Sequence, residues 1–97
     1  LEDKMDFICP VCGYDELKQP PYDEKGNESF DVCLCCGFEF GVDDMLFTFE
    51  AYRKEWLSNG AKWFFANIQS DNWSVDDQLK NIEKIKPMYT PYNRRKR

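Results

Sequence analysis

Three features of the 97-residue sequence predict an α+β fold, with β-hairpins built on two cysteine knuckles and followed by two or three packed helices. The motif Cys-x-x-Cys-Gly occurs twice, at residues 9–13 and 33–37. Short alternations of apolar and polar residues flank the second copy, which is the pattern of half-buried strands. Residues 45–86 then contain neither cysteine nor proline, and their apolar residues recur at helical spacing. With no repeat and no linker, the chain reads as one domain, 1–97. Its parts are a β half at about 7–44, a helical half at about 45–86 and a tail at 87–97.

In chain order, Phe7-Ile8 leads into the first knuckle, and the stretch Gln19-Pro20-Pro21-Tyr22-Asp23-Glu24-Lys25-Gly26-Asn27 is rich in turn formers. Phe30-Asp31-Val32 and Phe38-Glu39-Phe40 alternate and read as strands on either side of the second knuckle. From about Thr48 to Asn59, Phe49, Tyr52, Trp56 and Leu57 share one predicted helical face, and Gly60 stands where a left-handed residue would end that helix. Ala61-Lys62-Trp63-Phe64-Phe65 fits either a third short helix or a buried connector. Ser74 before Val75-Asp76-Asp77 is an N-cap with acidic residues in the first turn. Val75, Leu79 and Ile82 then line a face until Pro87.

A chain of this length buries only about 60–65% of its unfolded surface, so its core needs additional fastening. The formal charge is −5, but Arg94-Arg95-Lys96-Arg97 supply four of the 13 basic residues; nine then face 18 acidic ones, leaving residues 1–93 at −9. So acidic a body repels a phosphate backbone, which disfavours nucleic acid as a partner. The basic tail reads as a solvated end, with phosphate contact as the sharper alternative. No apolar run reaches the roughly 18 residues of a membrane span, and no secretion signal precedes the first knuckle. A cytoplasmic protein without membrane contact is expected, with Met5 a candidate natural start.

Five cysteines suit either disulfides or metal ligands, and the odd count weighs against full pairing. The two knuckles are separated by 20 residues, the spacing of four-cysteine metal sites. Cys9, Cys12, Cys33 and Cys36 are therefore the expected ligands of one ion. Thiolates suit zinc or iron and suit magnesium or calcium poorly. Zinc leads because it is redox-inert. Iron, giving an electron carrier, is the alternative, and a disulfide or free-thiol state is a third. Zinc-finger peptides gain an apparent ~10–16 kcal/mol on binding metal, which would supply the fastening the small core lacks. A closed four-thiolate shell leaves no site for water or substrate, and the chain has no histidine to act as general base. No catalytic residues and no enzyme activity are expected. Asp43-Asp44 and Asp76-Asp77 read as turn or capping residues. Cys35 matches Val11 in the first knuckle and reads as a packed apolar residue or as a spare thiol for redox exchange.

The run Cys9-Pro10-Val11-Cys12-Gly13-Tyr14, then Pro20-Pro21-Tyr22-Asp23, then Ser29-Phe30-Asp31-Val32-Cys33-Leu34-Cys35-Cys36-Gly37-Phe38-Glu39-Phe40-Gly41, resembles the small bacterial proteins of the cysteine-rich CPCC family. The resemblance covers about residues 7–44. Leu34 stands in place of the family's namesake proline, which loosens that turn without removing a ligand. The resemblance implies a bacterial, zinc-ribbon-like protein and leaves its biochemical role open. The knuckles are also similar to those of rubredoxin, whose paired turns hold iron, although rubredoxins end soon after the second knuckle.

The leading functional expectation is a zinc-binding protein that docks on another protein. Phe47, Phe49, Tyr52, Trp56, Trp63, Phe64, Phe65 and Trp73 fall within 27 residues. Most of them are needed in the core, but a domain this small does not readily bury eight large rings, and exposed rings anchor interfaces. The acidic body favours a basic partner. The runner-up readings are a rubredoxin-like electron carrier and a transcription-associated zinc ribbon.

Overall fold

A computed structural model describes residues 7–85 of the chain. Among the described residues two α-helices are present, α1 (Phe49–Ser58) and α2 (Val75–Leu79), together with 3-10 turns at Asp43–Met45, Ala66–Ile68 and Lys80–Lys84. The predicted α+β fold is not what forms. Among the described residues there is no β-strand and no sheet, only the isolated antiparallel bridges Phe7–Leu17, Tyr22–Glu28 and Val32–Glu39. The zinc-ribbon-like hairpins are thus replaced by irregular loops.

The knuckles themselves break the ladders. Phe7 and Leu17 exchange both backbone hydrogen bonds, at 2.8 and 3.0 Å. The next one, Cys9 N–H to the Tyr14 carbonyl at 2.7 Å, is one residue out of register, so pairing stops after a single bridge. Around the second knuckle, Phe40 N–H to Asp31 (3.0 Å) and Cys33 N–H to Phe38 (2.9 Å) flank the Val32–Glu39 bridge. Phe30 then adopts φ +62° and turns the chain away before another pair can form. Its ring, read as half-buried, is exposed. The alternation at 38–40 serves packing instead: Phe38 and Phe40 are fully buried.

Helix α1 follows its sequence signals. Thr48 Oγ1 accepts the Ala51 N–H at 3.0 Å, satisfying one of the donors left free in the first turn. At the other end Gly60 N–H reaches the Leu57 carbonyl (3.1 Å) and Ala61 N–H the Trp56 carbonyl (2.8 Å), a Schellman closure permitted by φ +97° at Gly60. Phe49 and Trp56 are buried and Tyr52 packs beside them, while Leu57, about 100° further round the helix than Trp56, is exposed. The second helical segment is shorter than its sequence suggests. Ser74 Oγ caps it by accepting Asp77 N–H at 3.3 Å, but after Leu79 the chain tightens into the 3-10 turn. Pro87, its expected stop, and the basic tail lie outside the described residues. The segment from Ala61 to Phe65 is neither helix nor strand.

The core is centred on the cysteines. Val11, Pro21, Phe38 and Phe40 are fully buried beside Cys9, Cys12, Cys33 and Cys35. One set of rings, Tyr22, Phe38, Phe40, Phe49 and Tyr52, stacks edge to face or tilted, closest at 4.9 Å between Phe38 and Tyr52. A second set joins Tyr14 to Trp63, Trp63 to Trp73 and Trp73 to Trp56. Among the described residues no helix is long and apolar enough to cross a membrane.

Candidate metal centre

Each knuckle is a tight turn closed by its own backbone. Gly13 N–H returns to the Cys9 carbonyl and Gly37 N–H to the Cys33 carbonyl, both at 2.9 Å. The glycines hold φ +88° and +82°, a region that other residues enter at a cost of roughly 1–2 kcal/mol. This geometry turns both side chains of a knuckle to the same side. The two turns face each other, so that the sulfurs of Cys9, Cys12, Cys33 and Cys36 all lie within 4.8 Å of one another, buried. Cys9 Sγ is 3.8 Å from Cys36 Sγ, and Cys12 Sγ is 3.7 Å from Cys33 Sγ.

Those separations discriminate between chemistries. A disulfide places its sulfurs about 2.0 Å apart, and none of the five cysteines is so bonded. A tetrahedral ion with metal–sulfur bonds of about 2.3 Å requires sulfur–sulfur edges of about 3.8 Å. The four residues therefore fit a tetrahedral thiolate-bound ion, and the group is able to hold a metal. Val11 N–H points to Cys9 Sγ at 3.4 Å, a donor suited to thiolate charge. Burial pushes the Cys12 and Cys36 thiols well above the ordinary value, with neighbouring thiols adding to the effect at Cys12. Burial also opposes the Cys33 thiolate, but donation from Cys12, Cys36 and Cys9 outweighs it and holds that thiol well below the ordinary value.

Cys35 lies outside the four-sulfur group. It is fully buried, and Gln78 Nε2 donates to its sulfur at 3.3 Å. The paired aspartates hold turns together. Asp43 accepts the Glu39 N–H (2.8 Å), Asp44 accepts the Gly41 N–H and the Tyr22 hydroxyl, and Asp77 pairs with exposed Lys80.

A set of contacts that the sequence reading did not foresee, several of them from Arg53, Gln78 and Asn81, encloses the centre. Every carbonyl along the outer side of the first knuckle meets a side chain from the helical half. Arg53 donates to Val11 (2.6 Å) and Pro10 (3.0 Å), Gln78 to Cys12 (3.1 Å) and Asn81 to Gly13 (2.9 Å). Gln78 is itself oriented by Trp73, whose Nε1 donates to its Oε1 at 2.7 Å. At the second knuckle the Phe65 and Phe64 N–H groups reach Leu34 (2.9 Å) and Cys35 (2.8 Å), and the Tyr52 hydroxyl reaches Cys36 (3.2 Å). These partners stand between 16 and 68 residues from the groups they bind, and no local motif marks them.

Comparison with known proteins finds two relatives in Bacillus subtilis (strain 168). YoaQ is 36% identical over 96 residues, covering 82% of this chain and 76% of the relative, and YozI is 34% identical over 97 residues, covering 82% and 75%. Both are described as uncharacterised. No known family description and no solved structure matches the chain.

Proposed function

The chain belongs to the family of YoaQ and YozI, and on that premise we propose that it is a small structural-zinc protein acting as a protein-binding module. The observation that carries the metal reading is the pair of sulfur–sulfur edges, 3.8 and 3.7 Å, which match a tetrahedral thiolate shell. In this reading Cys9, Cys12, Cys33 and Cys36 fill all four positions, so the ion braces the fold and activates no water. Zinc is preferred to iron because it is redox-inert and common in closed four-thiolate sites that brace a fold. Assignment to the CPCC family belongs to the same proposal and rests on the motif alone. A reducing compartment, the cytoplasm, keeps such thiols available to metal.

The binding role is supported by large apolar side chains that the fold leaves outside. Phe64 and Phe65, 63% and 48% exposed, lie beside exposed Leu34 through their backbone bonds to the second knuckle, and Met45, Leu46 and Phe47 form an exposed run before α1. On a body of net charge −9 over residues 1–93, such a surface suits a basic protein.

Elemental mass spectrometry and an absorption spectrum on protein purified without added metal test the centre. About one zinc per chain and no visible band are expected. A red iron-loaded protein would instead make it an electron carrier, and metal-free protein would remove the centre altogether. Retention of a basic partner that weakens with salt is the expected result for the binding role.

A further inference from the structure

Tyr52, Glu55, Trp56 and the C-cap Asn59 stand at i, i+3, i+4 and i+7, so they share one face of α1. That face borders an open cavity of about 210 Å³, which Phe47 and Lys62 also line. The Phe47 and Tyr52 rings stand at 82° with centroids 5.5 Å apart and form a corner. The polar tips of the other two rings' residues are already engaged within the protein: the Tyr52 hydroxyl donates to the Cys36 carbonyl at 3.2 Å, and Trp56 Nε1 donates to the Lys62 carbonyl at 2.9 Å. What these residues have left for a ligand is ring surface. Glu55 and Lys62 are both exposed and line the same cavity, yet among the described residues they form no ion pair with each other. The Lys62 stem lies beside Gly60 instead, where a Cβ would be 3.8 Å from Lys62 Cε. Its charge is thereby kept close to the C-terminal end of α1, the end of a helix that favours a cation.

We propose that this cavity seats one arginine side chain of a basic protein partner, its guanidinium held between the aromatic rings and the Glu55 carboxylate. The inference deepens the protein-binding role proposed above and rests on it. Aromatic rings attract a cation through the negative face of the π system, most strongly where water is excluded. A guanidinium suits such a place better than an ammonium, because it is planar, weakly hydrated and able to stack on a ring while it donates to a carboxylate. Charge complementarity selects the occupant. Residues 1–93 carry a net charge of −9, which draws a basic segment to the surface. A purely apolar side chain in the cavity would press against the Glu55 carboxylate and displace its water without replacing it.

The probe is a peptide of alternating lysine and glycine with a single central arginine, compared at low salt with the same peptide carrying citrulline or leucine at the centre. Citrulline has the shape of arginine without its charge. Binding is followed by NMR through the Trp56 indole and Asn59 amide signals. The arginine peptide should shift both signals and bind about tenfold more tightly than the citrulline peptide. Phe47→Ala, which removes an exposed ring, and Glu55→Gln, an isosteric change at an exposed position, should each reduce that preference to about twofold with the circular dichroism spectrum unchanged. Should the three peptides bind equally, or the arginine preference survive in both variants, the acidic surface still takes a basic partner and the cavity proposal is overturned. Should none of the peptides bind, the basic-partner reading falls and the cavity proposal falls with it.

Discussion

The two knuckles share one motif and are held in opposite ways. Around the first, three side chains, Arg53, Gln78 and Asn81, donate to four successive carbonyls. Around the second, two backbone N–H groups and one phenol do the same work. Support by side chains is written residue by residue and is lost with single substitutions. Backbone support depends on the path of the connector after α1, which the Gly60 closure sets, and it tolerates changes in the side chains that ride on it. The packing around the glycines differs in the same sense. A Cβ on Gly13 would lie 2.1 Å from the Gln78 carbonyl oxygen, which is helix backbone, whereas one on Gly37 would meet the near edge of the Phe64 ring at 3.0 Å, on an exposed side chain.

The largest effect should ignore this asymmetry. On the proposed metal reading Cys9→Ser and Cys33→Ser each remove one of four ligands, and because metal binding in such sites contributes an apparent ~10–16 kcal/mol, both proteins should lose metal and unfold alike. Circular dichroism with metal analysis checks this, and a folded Cys33→Ser beside an unfolded Cys9→Ser would break the symmetry at the centre. The glycines should separate the knuckles. Gly13→Ala is expected to cost about 2–5 kcal/mol, combining a left-handed backbone with displacement of α2. Gly37→Ala should cost about 1–2 kcal/mol, the backbone part alone, since Phe64 can swing aside. Denaturant titration of the metal-loaded proteins measures both, and equal losses would mean that α2 yields as easily as a single ring. The smallest pair sharpens the comparison further. Arg53→Met leaves the Pro10 and Val11 carbonyls without their charged donor and should cost about 1.5–3 kcal/mol, against about 1 kcal/mol for Tyr52→Phe at Cys36.

Much of the centre was legible in the sequence because its determinants are local. A Cys-x-x-Cys-Gly turn specifies its own hydrogen bonds and its positive-φ glycine within five residues, and the spacing of two such turns suffices to suggest one four-sulfur group. The caps at Thr48 and Ser74 and the closure at Gly60 were legible for the same reason. The strands were misread because alternation reports burial and not pairing. Phe38 and Phe40 alternate with Glu39 in order to reach a ring cluster completed by Phe49 and Tyr52, while the backbone hydrogen bonds beside them are taken up by the knuckle. Leu57 was misplaced because periodicity alone does not say how wide a face the neighbouring loops cover.

By itself, the sequence determined the two knuckles, the helix beginning after Thr48 and the acidic surface, all of which depend on residues close together in the chain or on a sum over it. Only the tertiary structure decided which helical side chains close over the knuckle carbonyls and which rings remain outside. Those outcomes depend on groups tens of residues apart meeting at hydrogen-bonding distance. Buried carbonyls demand donors but do not specify which residues supply them, so that choice is made by how the chain packs.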